Sequence, residues 1–229
     1  GPLCWIPHGV DNSCGGQTWS TGDKWGPFKG HMLHCSYGKC LLFLVLSENV
    51  DGIDQAGVYQ FPFKFQSGGM RARFSPRDGQ LYVSGLKGWQ TSGAKDGCLQ
   101  RVRYTGATVA MPKSINIHQN GIRVGFTEKL DQELAEDPDS WQLEQWNYRW
   151  TSKYGSKEYK VSNPEQTGHD PVEVTSAKLL ANGKEVFLTI PNLAPVMQMK
   201  IHFDLETADG NEMIGDLHST IHALAKPLK

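Results

Sequence analysis

One segment of alternating strand and glycine occurs twice in the first half of this chain, and nothing else in the sequence constrains the fold as strongly. Gly30-His-Met-Leu-His-Cys-Ser-Tyr-Gly38 runs into the apolar stretch Lys39-Cys-Leu-Leu-Phe-Leu-Val-Leu46, and Gly79-Gln-Leu-Tyr-Val-Ser-Gly-Leu-Lys-Gly88 leads, after a loop, to Cys98-Leu-Gln-Arg-Val-Arg-Tyr104. A small antiparallel sheet that returns at a period of roughly 50 residues is the pattern of propeller blades. Two blades cannot close a ring, because propellers need roughly 4–8 blades to protect their edges. The sequence therefore predicts the last part of a longer propeller, with an apolar flank left open.

The expected strands of this half are Gln17–Ser20, His31–Ser36, Cys40–Ser47, Val58–Phe65, Met70–Ser75, Gln80–Ser84 and Cys98–Tyr104, each rich in β-branched, aromatic or apolar residues. Arg77-Asp78-Gly79 reads as a hairpin turn. After Thr105-Gly106 the pattern changes. Ser114–His118, Gly121–Phe126, Trp141–Trp150, Val172–Leu180, Val186–Ile190, Met197–Leu205 and His218–His222 are separated by turns such as Asn120-Gly121 and Asn182-Gly183, and only Asp131–Glu136 reads as helical. That spacing suits an immunoglobulin-like sandwich of about 100 residues. The expectation is an all-β chain: residues 1–108 as two propeller blades, then residues 109–229 as an immunoglobulin-like β-sandwich.

Charge and cysteine usage narrow the partners. A net charge of −1 and a pI near 6.8 give no basic patch for nucleic acid or an anionic membrane. The longest apolar run, Cys40–Leu46, is too short to span a bilayer. Five cysteines, Cys4, Cys14, Cys35, Cys40 and Cys98, fall at irregular spacing, which predicts neither a disulfide framework nor a zinc pattern. There is no Cys-x-x-Cys-His for covalent haem.

Arg71-Ala72-Arg73 is the sharpest chemical signal. Residues i and i+2 share a strand face, so the two guanidinium forks point the same way, either toward a ligand with several carboxylates or into solvent. His8 and Asp11 stand in a loop before the first strand, where a carboxylate beside an imidazole makes a candidate general base and the same residues also make an ordinary turn. His34 is expected to pack within its blade, because the spacing offers it no further metal ligands. Trp146, Tyr148 and Trp150 share one face of an expected strand, with Trp141 and Leu143 on the other. The three aromatics either cover a neighbouring domain or form a sugar platform.

Met70-Arg-Ala-Arg-Phe-Ser-Pro-Arg-Asp-Gly-Gln-Leu-Tyr-Val83, followed by Asp96-Gly-Cys-Leu-Gln-Arg-Val-Arg-Tyr104, resembles the last blade of the soluble quinoprotein glucose/sorbosone dehydrogenase family. The combination of Pro7-His-Gly-Val-Asp-Asn-Ser13, Trp25-Gly-Pro-Phe28, Gly85-Leu-Lys-Gly-Trp-Gln90 and Gln145-Trp-Asn-Tyr-Arg-Trp150 is similar to the end of the propeller and the following β domain in large bacterial multidomain proteins, described as membrane-bound dehydrogenases or haem-binding proteins. The resemblance implies a channel holding pyrroloquinoline quinone, with Arg71 and Arg73 on its carboxylates and Lys39 as a displaced match to a cofactor-holding lysine. It implies oxidation of a sugar or other alcohol, a c-type cytochrome as electron acceptor and a periplasmic or extracellular location, and it leaves the catalytic base in an earlier blade. The alternative is a non-catalytic propeller and sandwich that bind polysaccharide or a partner protein.

Overall fold

The structure, a computed structural model, describes residues 1–228. Among the described residues the strands assort into three antiparallel sheets, of eight, four and three strands, none of them closed. The chain divides into two compact units: the first is Ile6–Leu46 with Val58–Thr108, and the second is Val109–Lys229 with Gly1–Trp5 and Ser47–Gly57.

The first unit holds β1 (Cys14–Trp19), β2 (Met32–Ser36), the start of β3 (Leu42–Val50) and the end of β4 (Ile53–Gln60), in the order β1-β2-β3-β4. It also holds a second sheet, β5 (Gly68–Phe74), β6 (Leu81–Leu86) and β7 (Gly97–Val102), in that order. Leu42, Phe43, Leu44, Val45 and Leu46 are all buried, which explains a strand apolar on both faces. A 3-10 turn at Asp23–Phe28 carries Trp25 and Phe28 into an aromatic cluster in which Trp25 meets Phe74 at 5.2 Å and Phe28 meets Phe61 at 5.2 Å. The aromatic edge-to-face contacts add to the area they bury.

The expected strand over Val58–Phe65 lies earlier in the chain, because Asp51 (φ 50°) and Gly52 (φ 89°) form a hairpin turn and β4 begins at Ile53. Both central residues of that two-residue turn need positive φ, which Asp-Gly supplies. Asn49 braces it, accepting from the Gly52 amide at 3.0 Å and donating to Asp54 at 2.7 Å.

In the second unit, the tip of β4 is followed in sheet order by β15 (Glu212–Ile221), β14 (Val196–Glu206), β10 (Trp141–Trp146) and β11 (Asp170–Val172). The other sheet runs β12 (Ser176–Leu179), β13 (Glu185–Thr189), β9 (Gly121–Phe126), β8 (Pro112–His118). The two sheets meet through Phe126 of β9, which lies 5.6 Å from Phe203 of β14 and 6.3 Å from Trp141 of β10. An α-helix, α1 (Gln132–Glu136), starts where Asp131 accepts the Leu134 amide, an N-cap that satisfies a free backbone donor. Three strand expectations change: the strand expected over His218–His222 begins six residues earlier, as β15 at Glu212. The run Val172–Leu180 breaks between β11 and β12, and β10 stops at Trp146 instead of continuing to Trp150.

Candidate functional site

A polar cluster in the first unit centres on Asp11. A backbone turn closed by Val10 and Asp11 amides on the Pro7 carbonyl places its side chain under β2, where it is 4% exposed. Its Oδ2 lies 2.7 Å from His34 Nε2 and accepts from Cys14 Sγ at 3.5 Å, while Oδ1 accepts from the Ser36 hydroxyl. His34 and Ser36 alternate on β2 and so share a face. The other ring nitrogen of His34, Nδ1, meets the Gln17 amide at 3.0 Å.

A bulge brings the β1 partners to this face. Cys14 pairs with Ser36 and Gln17 pairs with His34, so Gly15 and Gly16 together oppose Cys35 alone. Residues three apart on a regular strand point to opposite faces, but the extra residue of a bulge restores them to one. Ser13, at φ 58°, turns the chain into Cys14 just before the bulge.

Burial pushes the His34 imidazole toward its neutral form, yet the hydrogen bond and charge of Asp11, with a contribution from Cys14, outweigh it and lift the pKa to about 9. Burial also works to raise the Asp11 carboxyl, and its bonds from His34 and Ser36 leave it below the ordinary value. Ligand atoms of Asp11, Cys14 and His34 all lie within 4.8 Å of one another.

The basic pair stands on β5. Arg71 and Arg73 are both exposed, with Ala72 between them buried at 1%. Each donates one N–H at 2.7 Å to the carbonyl of the residue before it, and among the described residues neither guanidinium has an ion-pair partner. The β5 backbone lies against β1: a Cβ built on Gly15 would meet the Gly69 carbonyl oxygen at 2.1 Å, and one on Gly16 would meet Arg71 Cδ at 3.4 Å. Lys39, half-buried, sits in the turn between β2 and β3, its amide donating to Ser36 Oγ at 3.0 Å.

In the second unit Trp146 and Tyr148 stay together and Trp150 is separated from them. Trp146 is 2% exposed and stacks on His169 at 3.9 Å with the planes 12° apart. Its indole N–H donates to Tyr148 Oη at 3.0 Å, the hydroxyl donates to Gln198 at 3.2 Å, and the half-buried Tyr148 ring lies 5.8 Å from Trp5. Trp150 is 97% exposed, beyond the end of β10. As alternation implies, Trp141 and Leu143 oppose Phe203 and Ile201 on one face and Trp146 opposes Gln198 on the other; the face expected to continue to Trp150 is lost because β10 ends at Trp146. His169 is clamped by Glu144 at Nδ1 (2.9 Å) and Glu158 at Nε2 (2.8 Å).

Of the residues marked by the sequence, Asp11 belongs to the cluster, but the imidazole it meets is His34. His8 is exposed on the turn before it. Cys14, Gln17 and Ser36 carried no individual signal, because only the bulged pairing of β1 with β2 places them around Asp11. His169 went unmarked because its partners lie 11 and 25 residues away. No protein-family model, curated protein or solved structure matches this chain.

Proposed function

We propose that this chain forms part of a quinoprotein-like dehydrogenase, with the first unit as two propeller blades, the second as an immunoglobulin-like β-sandwich, and β5 as the cationic wall of a site for pyrroloquinoline quinone. The blade reading is supported by the antiparallel run β1–β4, which ends an eight-stranded sheet, and the separate three-stranded sheet β5–β7, whose edge strands β1 and β5 approach at Gly15, Gly16 and Gly69. The cofactor reading is carried by one observation: Arg71 and Arg73 project from that edge strand on one exposed face, without a carboxylate partner among the described residues. Such a donor set fits a flat tricarboxylate, since guanidinium forks bind carboxylates bidentately. Arg71 and Arg73 would hold and orient the carboxylates, and Lys39 would add a point charge. The quinone, when bound, takes up the hydride equivalent of a sugar or other alcohol, and a c-type cytochrome in the periplasm receives the electrons.

Titration of the quinone into the protein tests this. The double variant Arg71→Ala with Arg73→Ala is expected to lose about 1.5–3 kcal/mol of binding for each charged hydrogen bond removed. Both side chains are exposed, so the fold should survive. Unchanged quinone affinity refutes the reading. The exposure of Trp150 (97%) and Tyr154 (92%) favours a second one, a non-catalytic scaffold that presents aromatics to polysaccharide or a partner protein. On that reading the wild-type protein binds no quinone.

A further inference from the structure

The geometry points to a metal site in the first unit, formed by Asp11, Cys14 and His34 and suited to one zinc-type divalent ion. A carboxylate, a thiol and an imidazole together make a ligand set of the kind that zinc prefers. Asp11 Oδ2 is the hub, 2.7 Å from His34 Nε2 and 3.5 Å from Cys14 Sγ. Zinc bonds of about 2.0–2.3 Å hold tetrahedral ligand atoms about 3.3–3.7 Å apart, and the three atoms already lie within 4.8 Å of one another. Side-chain shifts of about an ångström or less suffice to admit the ion. One thiolate and one carboxylate neutralise its charge, which matters where Asp11 and His34 are 4% and 5% exposed.

The surroundings act as outer-sphere support. Ser36 holds the second oxygen of Asp11, and the Gln17 amide holds Nδ1 of His34 at 3.0 Å. A half-turn of that amide presents its oxygen to Nδ1–H, the bond that orients a histidine ligated through Nε2. The bulge at Gly15 and Gly16 is what aims Cys14 inward from a strand position that would otherwise face away. Cys14 is itself exposed, so a fourth position opens to water, the arrangement of a catalytic rather than a closed structural zinc.

Two contrasts sharpen the assignment. In a nucleophilic thiol relay the acid and the thiol occupy opposite ring nitrogens. Here Gln17 holds Nδ1, and Asp11 Oδ2 contacts both Nε2 and Sγ, so acid and thiol converge. At His169 the two glutamates do take opposite nitrogens, at 2.9 and 2.8 Å, and no common point is available to an ion.

Cobalt(II), a spectroscopic stand-in for zinc, provides the test. Added to the reduced, chelator-treated chain, it is expected to bind at one equivalent with a thiolate-to-cobalt charge-transfer band that zinc then displaces. Cys14→Ser should abolish the band while far-UV circular dichroism stays unchanged, since Cys14 is exposed. Asp11→Asn should weaken zinc binding at least ten-fold. The absence of saturable cobalt binding, or a band that persists in Cys14→Ser, would overturn the assignment. Neither result bears on quinone binding at Arg71 and Arg73.

Discussion

His169 shows how much one side chain can organise. Its ring stacks on Trp146 while Glu144 and Glu158 hold its two nitrogens, so a buried indole, a loop and β10 are joined at a single imidazole. Burial works to lower its pKa, but the two glutamates prevail and raise it above the ordinary 6.5. The folded protein thus holds this proton more tightly than the unfolded chain does. The clamp's contribution is complete below about pH 6.5 and is lost as pH rises through the folded value. Thermal unfolding of the wild type and His169→Ala should accordingly differ most between about pH 5 and 6.5 and converge on the alkaline side. A difference that does not change with pH would assign the effect to stacking alone. No sequence pattern marks this residue, because neither glutamate is a near neighbour in the chain.

At the scale of elements, β1 is the strand whose local irregularity matters most. Most strands could be read from apolar runs and turn residues: β9, for example, was expected over the same Gly121–Phe126 that it occupies. The bulge in β1 could not be read, since a pair of glycines is equally compatible with a loop. Tertiary packing explains the glycines. A Cβ at Gly15 would fall 2.1 Å from the Gly69 oxygen and 2.8 Å from the Cys35 oxygen, both rigid backbone. Gly15→Ala is therefore expected to force β1 and β5 apart and to destabilise the protein by about 1–3 kcal/mol or more, the range for overpacking. Urea unfolding measures this, and a variant as stable as the wild type would show that the two strands can separate at no cost. The end of β10 carries the same lesson. Alternation placed Trp146, Tyr148 and Trp150 on one face, but the strand stops after the first of them.

For the whole molecule, the division of the chain is the main result. The second unit takes Gly1–Trp5 and the hairpin tip Ser47–Gly57 from sequence that precedes residue 109. Those segments supply hydrogen bonds that the unit cannot make without them. Glu48 accepts from Asn116 Nδ2 and from the Ile117 amide, each at 3.0 Å, and the Trp5 amide donates to Thr220 Oγ1 at 2.8 Å. Gln55, 1% exposed, accepts from the His222 and Ala223 amides at 2.7 and 2.9 Å and donates to the Ala223 carbonyl at 3.0 Å. Gln55→Ala leaves two half-buried backbone amides and a carbonyl unpaired and should cost about 2–4 kcal/mol in denaturant unfolding. A loss below about 0.5 kcal/mol would mean that water reaches those groups.

The residues of the chain are by themselves enough to determine a β-rich protein. Runs such as Leu42–Leu46 and turns such as Asn120-Gly121 and Asn182-Gly183 encode strands and reversals through side-chain periodicity and backbone sterics, which act over a few residues. They also determine that Arg71 and Arg73 share a face, because that needs only the two-residue period of a strand. The pairing of Asp11 with His34, the arrival of Cys14 at the same carboxylate, and the capture of Ser47–Gly57 by a unit otherwise built from residue 109 onward were decided by tertiary structure alone. Each depends on strand register and on which distant backbone group is left to be satisfied, and these are set by the packing of the whole chain rather than by any local stretch of it.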